Sequence, residues 1–439
     1  MGYIRRILVM NKPYIVVSCP LDTYSGYGSR ARDIVRSLVN SEKYEVKCLF
    51  QRWGSTPFGF LKKDDPEDQK LLNTEIKPPL TRPPDVWIQI TVPNEFQKVG
   101  KFNIGITAGI ETDICTPQFI EGCNRMDLVL ASSQHTKGVF EKTVYDKKDK
   151  AGNAAGAVKL ETPIEVLFEG VDVNKYFHIP PKELIRTELV KSLDEIKEQF
   201  SFLFVGHWLQ GAIGQDRKNV GLLIQTFFET FKNKSKAPAL VLKTMSGPAC
   251  IMDKEEMLKR IDAIRKTVKG KLPSIYLLHG EVDDSDMNDL YNHPKIKAMI
   301  SLTKGEGFGR PLLEFTQSKK PVIAPNWSGH IDFLDAEFAS LIPGELKQVD
   351  ASAVQEGLII KESKWFSPDT KFTQLLLKDY FNSYKGYEVK GKQLGFRCKN
   401  DFSFEKMSEE LISIIDKNAP KKVEIKLPNI KKISLPKKS

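Results

Sequence analysis

The chain has 439 residues, 41% of them hydrophobic and 28% charged, an ordinary composition for a soluble globular protein of roughly two or three domains. No apolar stretch approaches the ~20 residues of a membrane span, so no transmembrane segment is expected. The N-terminal MGYIRRILVMNKPY has too short an apolar run for a signal peptide, and no small-residue cleavage site follows it. The six cysteines are scattered without a C-x-x-C pair, which reads as free thiols in a reducing, cytoplasmic compartment and argues against a zinc site. The net charge of +10 is uneven: Lys417 to Ser439 holds eight lysines and one glutamate, and so carries +7 of it. Such an end either solubilises the chain or touches nucleic acid or an anionic membrane.

Short apolar runs alternate with segments of helical period. YIVVSC (14–19), YEVKCLF (44–50), DVWIQI (85–90), FNIGIT (102–107) and DLVLAS (127–132) predict strands, with helices over RDIVRSLVN (32–40) and HTKGVFEKTV (135–144). YDKKDKAGNAAGAVKLET (145–162) reads as a flexible surface insertion. The style then repeats. FSFLFVGH (200–207), ALVLKTM (239–245), SIYLLHG (274–280), AMISLT (298–303) and PVIAP (321–325) predict strands. NVGLLIQTFFETF (219–231), EEMLKRIDAIRKTV (255–268) and RPLLEFTQS (310–318) predict helices. Two such series predict an α/β protein of two doubly wound, Rossmann-like domains with parallel sheets. Prolines and charges replace apolar runs after residue 178, which places the boundary there: 1–185 for the first domain and 186–400 for the second.

SGYGSRA (25–31) contains Gly26 and Gly28 in a G-x-G-x-x-A pattern, one form of the dinucleotide-binding fingerprint. The context disagrees. Six residues, PLDTYS, separate the strand from Gly26, and the second strand ends in Gln51 and Arg52 rather than an acidic residue. A glycine loop ahead of a helix still offers N–H groups to an anion. SLTKGEGFGRPLLEF (301–315) is richer: a strand leads into alternating glycines, Pro311 fits a helix start, and Glu306 and Glu314 flank the loop, separated by seven residues. The N–H groups of Gly307, Phe308 and Gly309 suit an anion, and the two carboxylates suit hydroxyl groups. A nucleotide sugar has a diphosphate in the middle and hydroxyls at both ends.

The 301–315 segment resembles the E-x7-E region of retaining GT-B glycosyltransferases, glycosyltransferase family 4 (glycosyl transferases group 1). PIEVLFEGVDVNKYF (163–177), FLFVGHWLQGAIGQDRKNVGLLIQTF (202–227), YLLHGEVDDSDMNDLYN (276–292) and KPVIAPNWSGHIDFL (320–334) resemble further segments of the family in the same order. The resemblance covers about residues 14–415. It implies GT-B architecture, two domains facing a cleft, with a helix over 401–417 crossing back to the first domain; a basic tail at 418–439 follows. It implies a retaining, metal-independent, hexosyltransferase-like enzyme with a nucleoside diphosphate sugar as co-substrate and no other cofactor. The acceptor, a glycan, protein, lipid-linked sugar or modified DNA, is left open. The alternative is a non-catalytic nucleotide-sugar-binding partner of another transferase.

By the same resemblance Arg217 and Lys218 stabilise the departing diphosphate, Glu306 holds the donor sugar and Glu314 the ribose. Gly307, Phe308 and Gly309 line the donor, and Gly26 and Gly28 form a loop facing the cleft. The family's basic residue after the first donor-domain strand is His207 here, and its N-domain histidine is missing from NIGITAGIETD, where Glu111 or Thr107 is the substitute. His135 is expected to cap or pack a helix start. Asp284 and Asp286 mimic a D-x-D metal motif but fit a helix start, so no metal is expected. Trp53, Trp87 and Trp365 read as sugar platforms or core aromatics.

Overall fold

The computed structural model describes residues 12–419 apart from 55, 110, 149–151, 210 and 248. Nearly all of the basic tail expected at 418–439 lies outside the described residues. The first half contains β1 (Tyr14–Cys19), α1 (Gly26–Asn40), β2 (Glu45–Phe50), α2 (Pro66–Leu72), β3 (Val86–Ile90), β4 (Phe102–Thr107), α3 (Pro117–Cys123), β5 (Leu128–Ala131), α4 (Gln134–Lys142), β6 (Tyr145–Lys148), β7 (Ala154–Val158) and β8 (Ile164–Val166). The second half contains α5 (Glu188–Asp194), β9 (Ser201–Val205), α6 (Val220–Phe231), β10 (Ala239–Lys243), α7 (Ile251–Thr267), β11 (Ile275–Leu278), α8 (Asp284–Asn292), β12 (Ile296–Ile300), α9 (Arg310–Thr316), β13 (Val322–Pro325), β14 (Ser340–Ile342), β15 (Gly344–Gln348) and β16 (Lys364–Pro368). Three helices follow, α10 (Thr370–Asn382), α11 (Tyr384–Asp401) and α12 (Phe404–Asn418).

Two six-stranded parallel sheets result, ordered β2-β1-β3-β4-β5-β8 and β11-β10-β9-β12-β13-β14. Strands such as β1, buried at every position, are continuous apolar runs because helices cover both faces of a parallel sheet. The strand order reverses between β1 and β3 in one sheet and between β9 and β12 in the other. In open parallel sheets ligands bind beyond the carboxyl ends of the strands at such reversals. The loops after β9 and β12 carry Arg217, Lys218 and Glu306.

The 145–162 stretch is not a structureless insertion: β6 and β7 form an antiparallel pair, and Tyr145 Oη donates to the Cys115 carbonyl at 2.5 Å, tying it to the domain. Apolar content too low for a core strand still suffices for a surface hairpin, where cross-strand hydrogen bonds rather than burial fix the conformation. Helix α1 begins at Gly26, six residues before the apolar periodicity does, because Ser25 caps it by accepting from the Gly28 N–H.

Val171 and Tyr176 already pack in the core of the second domain. Helix α11 places Leu394 and Cys398 in that same core. Helix α12 then crosses back. Its Met407, Leu411, Ile414 and Ile415 belong to the core of the first domain. Ser408 and Ser37 lie 2.6 Å apart through their hydroxyls, and Asp416 accepts from Tyr44 Oη at 2.7 Å. Among the described residues no helix is long and apolar enough to cross a membrane.

Candidate functional site

The loops after β9 and β12 bring three of the expected residues into one cluster, and the loop after β4 adds a fourth. Lys218 Nζ donates to both oxygens of Glu306, at 2.6 and 2.7 Å. Arg217 donates to the Gly305 carbonyl at 2.7 Å and stands 3.5 Å from Glu306 and 3.4 Å from Glu111. Burial pushes the Glu306 carboxyl up, but Lys218 and Arg217 outweigh it and hold it at about 2. Burial pulls Lys218 down, Glu306 opposing. The Glu306 backbone is fixed from β13's side: its N–H donates to Ser328 Oγ at 2.9 Å, and its carbonyl accepts from Gly329. His207 sits beside the cluster, where burial and Lys218 lower its pKa.

The glycines of this loop serve the approach of the two domains. A Cβ on Gly307 would stand 1.8 Å from the Ala108 carbonyl oxygen, and one on Gly305 would stand 2.2 Å from that of Glu111. Ser132 Oγ bridges the same seam, 2.6 Å from the Ala108 oxygen and 3.0 Å from the Gly307 oxygen. Gly309 has φ +97° and precedes α9 without a side-chain cap, a backbone state that favours glycine. The Phe308 side chain turns into the core against Phe333 and Phe402, so only its backbone is available to a ligand.

Glu314 lies in a second, adjoining cluster. Arg310 Nε donates to it at 2.9 Å while Arg310 Nη1 reaches Asp33 on α1 at 2.5 Å. One guanidinium thus serves two carboxylates from two domains. Burial, with Asp284 and Asp33 nearby, outweighs Arg310 and raises Glu314 to about 7. Asp33 also pairs with Arg36, which pairs with Asp172 at 3.0 Å. Glu169, 6% exposed, is raised by burial and interacts with Arg30 and Arg310. Arg30, 1% exposed, donates to the carbonyls of Phe168 and Leu167.

Asp33, Arg310, Glu169, Arg30 and Ser328 were not legible as site residues. The only sequence signal was Arg310 at the foot of the E-x7-E segment.

The remaining candidates divide. Gly26 is exposed, with open space where a Cβ would be. The Gly28 N–H goes to Ser25, and a Cβ there would stand 2.4 Å from the Thr23 carbonyl oxygen, so Gly28 allows the tight entry of α1 rather than presenting a free donor. Thr107 is bonded to Tyr27 Oη at 3.0 Å. Ser133, not His135, caps α4; a hydroxyl one residue earlier sits in the cap position, and His135 packs edge-on to Trp327. Asp284 binds Lys175 and Tyr176 Oη at 2.8 and 2.9 Å, and Asp283 caps α8. Trp87 and Trp365 are buried, whereas Trp53 is partly exposed and stacks on Tyr27 at 3.9 Å. A cavity of about 180 Å³ opens at the ends of β10 and β11, lined by Lys243, Leu278, His279, Val282 and Leu290 among others.

No protein-family model matches the chain, and no curated protein sequence is significantly similar to it. Solved structures do share its architecture end to end. A glycosyltransferase from Rickettsia africae superposes with a TM-score of 0.61 at 13% identity, covering 93% of this chain and 99% of its own. HepE of Anabaena, solved in complex with UDP-glucose, gives 0.59 at 12% identity over 92% of this chain and 100% of its own. The fold is GT-B. Sucrose-phosphate synthase from Thermosynechococcus elongatus gives 0.58 at 10% identity over 93% of this chain and 99% of its own. In GT-B terms the Arg217–Lys218–Glu306 cluster lies on the second domain and meets the first through Ala108 and Glu111.

Proposed function

We propose that this protein is a retaining glycosyltransferase that moves a sugar from a nucleoside diphosphate sugar to an acceptor hydroxyl without a metal ion. The observation that carries the reading is the placement of Arg217, Lys218 and Glu306 at the strand-order reversal of the second sheet, against the loop of the first domain. A departing nucleoside diphosphate gains negative charge as the sugar carbon becomes oxocarbenium-like. Fixed cations in a closed cleft stabilise that charge. Arg217 matches two phosphate oxygens with its fork and Lys218 acts as a point charge. Glu306, held ionised, accepts from sugar hydroxyls; Glu314 accepts from the ribose; the backbone of 307–309 approaches the phosphate. The nucleobase would occupy the cavity beside Lys243 and Val282, where the resemblance places the loop that holds the base.

The bond from the anomeric carbon to the diphosphate oxygen breaks while the acceptor oxygen attacks the same face. The acceptor proton passes to the departing diphosphate, so no protein nucleophile is needed. The solved complexes of HepE with UDP-glucose, and with UDP and glucose, support a donor of this class. Incubation with a panel of nucleoside diphosphate sugars, with EDTA present, tests the reading. Release of nucleoside diphosphate from one donor, lost in Lys218→Ala, supports it. Turnover only on adding a divalent cation removes the metal-independent part. Donor-induced thermal stabilisation with no release under any acceptor supports a binding-only protein instead.

A further inference from the structure

The first domain carries an exposed aromatic shelf beside the cleft that the donor chemistry leaves unused. The loop after β1 and the loop after β2 are joined: Thr23 bridges Phe58, Asp22 accepts from the Gly59 and Leu61 N–H groups at 3.1 and 2.8 Å, and Tyr24 Oη donates to the Gly59 carbonyl. This holds Tyr24 and Phe58 outward, 36% and 42% exposed. Trp53, in the same loop as Phe58 and partly exposed, stacks on Tyr27 with planes 22° apart. Tyr27 Oη accepts from the Ala108 N–H at 3.2 Å, and the Ala108 carbonyl abuts Gly307. Trp53 is thus linked through Tyr27 and Ala108 to the loop that carries Glu306.

We propose that Trp53, Tyr24 and Phe58 form an acceptor subsite for a glycan chain, taking its pyranose rings face-on. This rests on the transferase reading above. Three features select a carbohydrate. Pyranose faces rich in C–H groups pack on the electron-rich faces of aromatic rings. The shelf is open rather than a pocket, which suits successive rings of an oligosaccharide better than a small molecule or an acyl tail. Around the shelf Arg52, Lys62, Lys63 and Lys70 are balanced by Asp64, Asp65, Glu67 and Asp68, so there is no net positive field to draw a polyanion such as single-stranded DNA. Arg52, near the Phe58 ring, is placed to hydrogen-bond ring hydroxyls at the edge.

The test is a binding screen on an array of neutral and acidic oligosaccharides, with a 20-nucleotide single-stranded DNA as the competing probe. UDP-glucose and other donors are scored separately by thermal shift in the same samples. The expected result is binding of at least one oligosaccharide by the wild-type chain, weakened by about tenfold or more in Trp53→Ala and retained within about threefold in Trp53→Phe, which keeps an aromatic face. Phe58→Ala, at an exposed position, should weaken the same ligand and guards against a folding defect at Trp53. No oligosaccharide bound, or binding indifferent to both substitutions, overturns the subsite while leaving the donor result standing. Trp53-dependent binding of the DNA probe overturns it in favour of a nucleic acid. Absence of any donor response, with glycan binding intact, fails the transferase reading and with it the acceptor role, and leaves a glycan-binding shelf without a transferase.

Discussion

Glu314→Gln isolates a buried carboxylate of the cleft whose pKa burial raises well above the ordinary value. Burial, helped by Asp284 and Asp33, raises Glu314 from 4.5 to about 7 although Arg310 donates to it. The side chain is only 11% exposed, so solvent screens little of this. The folded chain keeps a proton that the unfolded chain releases above pH 4.5. Stability is therefore lost as the pH rises from 4.5 through about 7, and the loss is complete above that. At about 1.4 kcal/mol per pKa unit the total is about 3 kcal/mol. Glutamine mimics the protonated acid and does not titrate. The variant should match the wild type near pH 4.5 and exceed it by about 3 kcal/mol near pH 8, read from urea unfolding at intervals across that range. Donor affinity should show the same group with opposite sense: ionised Glu314 is the better acceptor for ribose hydroxyls, so the wild-type KM for donor falls as the pH rises through about 7, and the variant's does not. Parallel stability profiles, or a variant weaker at high pH, would refute the reasoning and mean that Arg310 holds Glu314 ionised.

Lys218→Ala should lower nucleoside diphosphate release by ~100-fold or more, as loss of a donor to the transition state does; an unchanged rate removes Lys218 from the mechanism. Glu111→Gln removes the anion 3.4 Å from Arg217 and should tighten donor binding several-fold at low salt, an advantage that shrinks as salt rises. Weaker binding with no salt dependence would show that Glu111 holds the donor rather than competing with it. Gly307→Ala would place a methyl group 1.8 Å from the Ala108 oxygen, so it should lower the melting temperature and expand the particle in X-ray scattering; a variant unchanged in both contradicts the close seam. Leu411→Ala should cost about 2–5 kcal/mol, because Leu411 is fully buried in the first domain's core. A cost below about 1 kcal/mol would mean that α12 does not pack there.

The strands were legible because parallel strands buried on both faces need uninterrupted apolar residues, as in YIVVSC and ALVLK. The start of α1 was not: Gly26 to Ala31 shows no apolar stripe, and the helix is fixed by the Ser25 cap and by Arg30 reaching the Phe168 and Leu167 carbonyls across the domain. Glu306 stood out because its glycine-rich setting is local in sequence, and Arg217 and Lys218 only through the resemblance of the 202–227 segment to a known family. Arg310 and Asp33, 277 positions apart, form a pair that exists only once both domains are assembled. The same holds for Glu169, whose neighbours Arg30 and Arg310 come from α1 and α9. Local patterns show what a residue type can do; a carboxylate's partner is a property of the packed whole.

The main cluster is self-neutralised: two cations, Arg217 and Lys218, against two carboxylates, Glu306 and Glu111. A buried pair broken on one side only leaves an uncompensated charge, so a donor that took Lys218 alone would strand Glu306. A nucleotide sugar avoids this because it is bipolar in its demands. On the proposed reading its phosphates would replace the carboxylates around Arg217 and Lys218 while its sugar hydroxyls would donate to the released Glu306. A free nucleoside diphosphate satisfies the cations but leaves Glu306 without its partner. On that reading the arrangement would favour the intact donor over the product, for a reason that lies in the pairing rather than in the number of contacts. The close approach of Gly307 to the Ala108 carbonyl sets the two domains against each other beside this cluster, where the proposed transfer would need water kept out.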